Sequence, residues 1–218
     1  MEEGIHQMSL GDHSFRMDAT RTDEFGKLAR TLNHMASQIE CDSLTGLLSR
    51  QEFDRRIAVE LVRSVRYGHT FTVLMLDLDH FKCVNDLHGH PAGDDVLRSI
   101  TARLSRNFRS TDSFARYGGE EFVAVLSETG VGGAKILAGR PCEIVAAESV
   151  TISAGVAIPV TISIVCATYR TDGATAESMV AAADITLYSA KRSGRNRAET
   201  YHSGLEATQP SPSTPPTL

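Results

Sequence analysis

The chain has 218 residues, of which 41% are hydrophobic and 22% charged, enough for one ordinary globular domain with flanking segments. Its net charge of −5 at pH 7 gives no general attraction to nucleic acid or to an anionic membrane surface, so an anionic ligand must be held by local cations. The four cysteines lack zinc-ligand spacing and no apolar run approaches the roughly 20 residues of a membrane span, so we expect a soluble cytosolic protein with reduced thiols.

An amphipathic helix is predicted over residues 23–40. Its apolar side chains recur at steps of three and four residues, at Phe25, Leu28, Leu32, Met35 and Ile39. A stripe of about two and a half heptads is too short to be stable in water by itself. We expect it to pair with a second protomer, because it precedes the globular region; packing on its own domain is the alternative.

The globular region begins with a turn at residues 41–50. A helix is predicted over residues 51–67, and the strongly apolar strand 71–78 follows it. A loop and a helix occupy residues 80–108. A β-hairpin is then expected at about residues 113–127, because a Gly-Gly pair separates two strand-like runs.

The next part of the sequence is the hardest to interpret. A helical pattern starts at residues 134–137, but Gly139 and Pro141 are expected to interrupt it, since proline costs about 3 kcal/mol in a helix interior. Short strands are expected at residues 150–152 and 160–164.

An alanine-rich helix is predicted over residues 174–191, with Gly194 as its stop. The polar, Pro-rich tail beyond residue 201 cannot bury a core. Strands and helices are mixed in an irregular order around one tight hairpin. This order favours an α+β fold, with a mainly antiparallel central sheet flanked by helices, over a doubly wound parallel sheet.

Acidic residues follow two of the predicted strands. They are Asp77 and Asp79 at the end of strand 71–78, and Glu120 and Glu121 after the pair Gly118-Gly119. Both glycines are expected to take positive φ in a two-residue turn. Two converging acidic strand ends would make a hard-oxygen site for Mg²⁺, whereas Asp79 is better interpreted as a carboxylate that shapes its loop.

The segment between Asp77 and Asp94 is dense in polar side chains. Lys82 offers a positive charge to a phosphate group. Asn85 and Asp94 offer an amide and a carboxylate, a combination able to bind the edges of a purine such as guanine. A second cationic cluster lies at residues 191–196. Together these groups predict a metal site, a base pocket and a clamp for a triphosphate.

Residues 42–198 resemble the GGDEF family of diguanylate cyclases. Four blocks carry the resemblance in the order and spacing of that family: DSLTGLLSR (42–50), DLDHFKCVNDLHGHPAGDDVL (77–97), RYGGEEF (116–122) and ADITLYSAKRSGRN (183–196). The resemblance implies a palm-like α+β domain that condenses two GTP into cyclic di-GMP with loss of two pyrophosphates. Because each protomer binds one GTP, it also implies a homodimer, with two Mg²⁺ ions, or Mn²⁺ in their place, at each site.

The resemblance also implies roles for individual residues. The metal ligands are Asp77, the carbonyl of Leu78 and Glu120. Glu120 also helps to deprotonate the ribose 3′-hydroxyl, and Lys82 stabilises charge on the transferring phosphate. The implied nucleotide contacts are Asn85, His90 and Asp94 for guanine and ribose, Lys191 and Arg195 for the β- and γ-phosphates, and the turn glycines Gly118 and Gly119 for close approach of the nucleotide.

Structural alternatives remain for some of these residues. His90 could simply order its loop, and Lys191 and Arg195 could simply complement the C-terminal dipole of a helix. Glu121 is interpreted as support for the second metal or for the turn.

Arg109 and Asp112 form an RxxD motif at the spacing at which the family binds cyclic di-GMP as an inhibitor. An exposed ion pair is the alternative. Residues 11–40 resemble the second half of a HAMP signalling module.

We therefore divide the chain into a partial HAMP-like segment with its signalling helix (1–41), a GGDEF domain (42–201) and a disordered Pro-rich tail (202–218). The expected location is cytoplasmic, or the cytoplasmic part of an inner-membrane receptor, with a membrane reached only through an N-terminal region outside this sequence.

Two departures from the family pattern concern packing. They are the helix breakers Gly139 and Pro141, and Val165 where a glycine is usual. The rival interpretation is a non-catalytic GGDEF domain that binds GTP or cyclic di-GMP, against which the intact GGEEF run and Lys82 argue. A purely structural dimerisation domain would leave the acidic strand ends and Asn85 unexplained.

Overall fold

The computed structural model of the protein describes residues 17–201, apart from the side chains of residues 36–39, 184, 185 and 188. The first part of the HAMP-like segment (1–16), the side chain of Ile39 and the predicted tail (202–218) lie outside the described residues. The helices are α1 (Glu24–Glu40), α2 (Arg50–Tyr67), α3 (Phe81–His88), α4 (His90–Ser105), α5 (Val131–Ala147) and α6 (Ala176–Arg192). The strands are β1 (Phe71–Leu78), β2 (Ser113–Gly118), β3 (Glu121–Ser127), β4 (Val150–Thr151), β5 (Ala157–Ile158), β6 (Ile162–Thr168) and β7 (Ala198–Thr200).

A five-stranded sheet forms the centre of the domain, in the order β2-β3-β1-β6-β7. All of its pairings are antiparallel except that between β6 and β7. Strands β4 and β5 form a separate small hairpin. The predicted α+β fold with a mainly antiparallel sheet is confirmed, because hairpins and antiparallel neighbours dominate the connections.

Strand β1 is buried along its whole length because helices cover both faces of the sheet. Leu74, Leu76 and Leu78 point to the face on which α4 and α5 pack. Val73 and Met75 point to the opposite face, where the core includes residues of α2 and α6. Two buried faces explain why β1 is a continuous apolar run without alternation. The first polar side chains after this run therefore emerge at the edge where β1 ends.

Helix α5 is continuous, and the predicted interruption at Gly139 and Pro141 is wrong. Proline has no N–H, so one hydrogen bond within the helix is lost. The helix continues because one of its faces packs on the sheet, where Ala134, Ala138 and Val145 are fully buried. Pro141 is buried as well. Burial of this face outweighs the local preferences of the two helix breakers.

Gly139→Ala should stabilise the protein. Gly139 lies inside α5 without positive φ, and a Cβ there would meet no atom within 4 Å. We expect the free energy of unfolding to rise by about 0.5–1 kcal/mol, with activity unchanged, because alanine loses less backbone entropy on folding. Denaturant unfolding measures this change. Gly133→Ala is the control and should gain less, since its Cβ would lie 3.1 Å from Cγ2 of Thr129; a loss of stability in Gly139→Ala would contradict the argument.

Val165 has no exposed surface in the structure. It is fully buried in the cluster that β6 and β1 share with α6. Small residues on the helix, Ala182, Ala183 and Ala190, belong to the same cluster. Room for a branched side chain on β6 is thus provided by alanines on α6.

The structure adds elements that the sequence patterns did not predict. Strand β6 runs to Thr168, four residues further than expected, and β7 pairs with it in parallel. The region predicted as one loop and helix contains two helices, α3 and α4, separated at Gly89, which has a φ of 82°. Within residues 17–201, no helix is both long and apolar enough to cross a membrane.

Helix α1 leaves most of its predicted apolar stripe uncovered. Another face of the helix holds residues 17–22, because the side chain of Asn33 exchanges two hydrogen bonds of 2.8 Å with the backbone of Met17. The exposed members of the stripe are Phe25 (55%), Leu28 (44%) and Met35 (53%). These three side chains are therefore not packed on their own domain.

Candidate active site

The end of β1 and the β2–β3 turn meet at one edge of the sheet. Asp77 is paired in register with Glu121. The backbone N–H of Leu78 donates to the carbonyl oxygen of Glu120 at 3.3 Å. The two acidic strand ends, separate in the sequence, are therefore neighbours in the fold.

The turn of this hairpin differs from the predicted one. Gly118 closes β2 opposite Glu121, so the turn residues are Gly119 and Glu120. Only Gly119 has positive φ, at 48°, and the expectation of positive φ at both glycines is wrong. The reason is an irregularity in the register between Arg116 and Gly118, which moves the turn by one residue.

The Gly118→Val substitution should show whether Gly118 is needed for its backbone conformation or for the open space beside it. Gly118 lacks positive φ, and a Cβ there would meet no atom within 4 Å, so the stability should change by less than about 0.5 kcal/mol. Turnover of GTP, which the family resemblance implies, should nevertheless fall at least about ten-fold, because the side chain would occupy the space in which the resemblance places the nucleotide. Thermal unfolding and initial rates measure the two effects. Gly119→Val should also lose stability, since valine is strained at a φ of 48°; normal turnover in Gly118→Val would contradict the prediction.

Asp77 is a buried carboxylate with one strong partner. Its side chain is 5% exposed, and Nζ of Lys191 lies 2.8 Å from its Oδ2. Burial raises the pKa of Asp77 to about 6; the hydrogen bond and charge of Lys191 lower this pKa, and the nearby charges of Glu120 and Glu121 raise it further. Burial and the two glutamates together outweigh the lysine.

This arrangement fits a divalent cation. A buried carboxylate beside two further acids needs compensating positive charge, and carboxylate and carbonyl oxygens are the donors that Mg²⁺ prefers. Within residues 17–201, no set of three His, Cys, Asp or Glu side chains has the arrangement of a metal site. The ligand set expected from the sequence, Asp77, Leu78 and Glu120, would need only two side chains, because its third donor would be a backbone carbonyl.

Asp79 has a structural role at the same edge. It is buried and accepts hydrogen bonds from Oγ1 of Thr161 and Oγ of Ser163, both at 2.7 Å, and from the backbone N–H of Asn196 at 3.0 Å. The last contact ties the segment after α6 to the end of β1. Lys191, in the last turn of α6, is thereby held near Asp77.

Helices α3 and α4 bring Asn85 against Gly93, the residue before Asp94. A Cβ on Gly93 would lie 2.1 Å from Oδ1 of Asn85, so only glycine allows this side chain to lie against α4. The role of Gly93 was not predicted, although its place beside Asp94 was a signal. A cavity of about 340 Å³ adjoins Asp94 and is lined also by Arg98 and Ser153, but it includes neither Asn85 nor His90.

The remaining predicted residues are more separated. Lys82 and His90 are exposed, on α3 and at the start of α4, and Arg195 is half-buried with a φ of 60°.

In the RxxD motif, Asp112 accepts a hydrogen bond of 2.9 Å from the backbone N–H of Arg109. Their side chains form no ion pair in the described part of the chain, so that alternative is wrong. Oδ1 of Asp112 is buried and has no hydrogen-bond partner among the described residues.

Comparison with known families agrees with this geometry. The family model "Diguanylate cyclase, GGDEF domain" matches residues 39–197, and the HAMP domain model matches residues 1–40. The response regulator PleD of Caulobacter vibrioides is 36% identical over 170 residues, which cover 78% of this chain. The match covers only 37% of the length of PleD.

Solved GGDEF domains share the fold. The GGDEF domain of DgcB from Caulobacter crescentus, in complex with c-di-GMP, has a TM-score of 0.72 and 30% identity, covering 75% of this chain and 94% of that domain. The GGDEF domain of TpbB (YfiN) from Pseudomonas aeruginosa has a TM-score of 0.72 and 31% identity, covering 76% of this chain and 96% of that one. The resemblance found in the sequence is confirmed, and the chain belongs to the GGDEF-domain family of diguanylate cyclases.

Proposed function

We propose that this chain condenses two GTP molecules into cyclic di-GMP, with release of two pyrophosphates, in bacterial second-messenger signalling. The observation that carries the proposal is the meeting of Asp77, Glu120 and Lys191 at one edge of the sheet. Phosphoryl transfer needs little covalent chemistry from a protein, but it needs positioned charge, and this edge concentrates charge of both signs. The names of the relatives support the same reaction.

Glu120 is the proposed catalytic carboxylate. It stands on an exposed turn beside the buried Asp77, where it can accept the proton of a ribose 3′-hydroxyl. Asp77, the carbonyl of Leu78 and Glu120 would hold Mg²⁺ or Mn²⁺, two ions per site, which would neutralise charge on the phosphates and lower the pKa of the hydroxyl. Lys82, on the first turn of α3, would stabilise the negative charge of the transferring phosphate.

The nucleotide is proposed to lie between α3, α4 and the end of α6. Asn85 and Asp94 would bind guanine, with His90 near the ribose, while Lys191 and Arg195 would bind the β- and γ-phosphates. Lys191 is paired with Asp77 in the structure. Binding of metal and phosphates would therefore replace this ion pair by two contacts of like strength, one between Asp77 and the metal and one between Lys191 and a phosphate.

A homodimer would bring two GTP molecules together, since one site holds one of them. The exposed apolar stripe of α1 supports this proposal, because isolated helices of this length are marginal in water. The domain limits proposed are 1–41, 42–201 and 202–218, with a cytoplasmic location.

A product-inhibition site is proposed at Arg109 and Asp112. Oδ1 of Asp112 is buried without a partner in the described part of the chain, and the guanidinium of Arg109 is exposed. A guanine base offers N1 and N2 protons to the carboxylate, and its O6 and N7 can accept both donors of the arginine. Cyclic di-GMP is therefore the ligand expected there.

The test is incubation of the full chain with GTP and Mg²⁺, followed by chromatographic separation of the nucleotides. Formation of one cyclic di-GMP and two pyrophosphates for every two GTP consumed would support the proposal. Binding of GTP without product, in a sample shown to be dimeric by sedimentation, would favour the non-catalytic binding domain.

A further inference from the structure

The arginine two residues before the Gly-Gly pair contacts two separate segments. Nη1 of Arg116 lies 3.2 Å from both carboxylate oxygens of Asp42. Its Nε and Nη2 donate to the carbonyl oxygen of Gly119 at 3.0 and 2.8 Å. A guanidinium is a planar fork with five N–H groups, so it can serve both partners at once. Arg116 thus connects Asp42 to the residue directly before Glu120.

Asp42 is itself held firmly. Its Oδ1 accepts hydrogen bonds from the backbone N–H of Thr45 at 2.9 Å and from Oγ1 of Thr45 at 2.7 Å. Its backbone is bonded to Leu47 and Gly46, both at 2.8 Å. The two partners of the ion pair, Asp42 and Arg116, are only 24% and 16% exposed. A partly buried ion pair with these additional hydrogen bonds is a fixed point, unlike a solvated surface pair.

This fixed point lies close to the end of helix α1 along the chain, because Asp42 is two residues after Glu40. The carbonyl oxygen of Glu40, the last residue of α1, accepts a hydrogen bond of 2.7 Å from the backbone N–H of Ser49. Leu48 then bonds to strand β2, donating to Phe114 at 3.3 Å and accepting from the backbone N–H of Arg116 at 2.9 Å. The segment after α1 therefore runs along the edge of the hairpin that carries Glu120.

We infer that Arg116 is a positioning residue for Glu120, and that Asp42 sets the position of Arg116. The turn at Gly119 and Glu120 is exposed at Gly119, where a Cβ would meet no atom within 4 Å. The backbone hydrogen bond from Leu78 holds the carbonyl of Glu120 on the far side of the turn, and the contact from Arg116 holds the carbonyl of Gly119. The contact to the Gly119 carbonyl fixes the peptide group that precedes the catalytic carboxylate. The orientation of Glu120 then depends on the junction at the end of α1. This inference rests on the cyclase function proposed above.

The variants that test it are Arg116→Lys and Asp42→Asn in the full chain. A lysine keeps the charge and the ion pair, but one ammonium cannot reproduce the fork between Asp42 and the Gly119 carbonyl. We expect kcat to fall at least about ten-fold and the KM for GTP to change by less than about three-fold, since small misplacement of a reacting group is costly. Hydrogen exchange of the peptide covering residues 116–122 should become faster.

Arg103→Lys is the matched control. Arg103 likewise donates to two backbone carbonyls, those of Glu148 at 2.6 Å and Ser149 at 3.1 Å, but at the end of α5. It should leave kcat and exchange at the turn unchanged. The double variant Asp42→Asn, Arg116→Lys should be no worse than Arg116→Lys alone, because the two residues act as one unit.

Unchanged kcat in Arg116→Lys would overturn the inference, and so would a fall in kcat without faster exchange at the turn. Additive effects in the double variant would overturn the role of Asp42. If the wild-type chain makes no cyclic di-GMP, the proposed function fails, while the exchange measurement still decides whether Arg116 holds the turn.

Discussion

Glu120→Gln should abolish formation of cyclic di-GMP, with a loss of about three orders of magnitude in rate. Glutamine has the size of glutamate, but it cannot take a proton from the ribose hydroxyl and is a weaker metal ligand. General-base catalysis and metal binding each contribute factors of about 10² or more, and in the proposed mechanism both depend on this carboxylate. The backbone bond from Leu78 to the carbonyl of residue 120 is unaffected by the change. The fold should therefore be intact.

Binding of GTP should survive in the Glu120→Gln variant within a few-fold, because the proposed guanine and phosphate contacts lie elsewhere. Product formation by chromatography and GTP binding by calorimetry measure the two properties separately. Glu143→Gln, an exposed acid on α5, is the matched control and should behave as wild type. A Glu120→Gln rate above a tenth of the wild-type rate would refute the catalytic role.

Asp77→Asn should remove activity and at the same time stabilise the metal-free protein at neutral pH. The pKa of Asp77 in the folded protein is raised to about 6, so the folded state holds this proton more tightly than the unfolded state does. Near pH 3 Asp77 is protonated in both the folded and the unfolded state, so no buried charge destabilises the wild type. As the pH rises from about 4 to 6 the unfolded chain ionises first, and stability is lost across this window. Above it the ionised Asp77 costs on the order of 3 kcal/mol, which asparagine avoids.

Denaturant unfolding in the presence of EDTA, at pH 4 and at pH 8, measures this effect. The gain of Asp77→Asn over wild type should be small at pH 4 and largest at pH 8. Asp54→Asn, an exposed acid on α2, is the control and should show no such difference. Addition of Mg²⁺ with GTP should stabilise the wild type and not the variant, because ligands stabilise only the state that binds them. A variant less stable than wild type at pH 8 would contradict the prediction.

The two substitutions differ in their expected effect on stability, because the charge that destabilises the fold is that of Asp77 and not that of Glu120. Glu120 is half-buried on a turn whose preceding residue, Gly119, is exposed. Asp77 ends a strand that is buried on both faces, and the folded state loses stability when it ionises. Strain of this kind is typical of functional positions, where local structure is compromised for chemistry.

Much of the site could be predicted because its chemistry lies in short motifs. Asp77 follows a continuous apolar run, and Glu120 follows a Gly-Gly pair, so each is recognisable from its immediate neighbours. The position of the turn was predicted one residue too early, since an irregularity in the β2–β3 register has no clear local signature. In helix α5 the low helix propensity of Gly139 and Pro141 predicted an interruption. Packing of one face of the helix on the sheet keeps it continuous instead.

By itself the sequence determined the family and the α+β class, and it named the acidic and cationic residues of the candidate site, because these follow from local spacing and side-chain chemistry. Only the tertiary structure decided which of them meet. The ion pair between Lys191 and Asp77 spans 114 residues, and that between Arg116 and Asp42 spans 74. Such contacts depend on sheet register and helix packing, which arise from burial of the whole core and leave no periodic signal between the two residues.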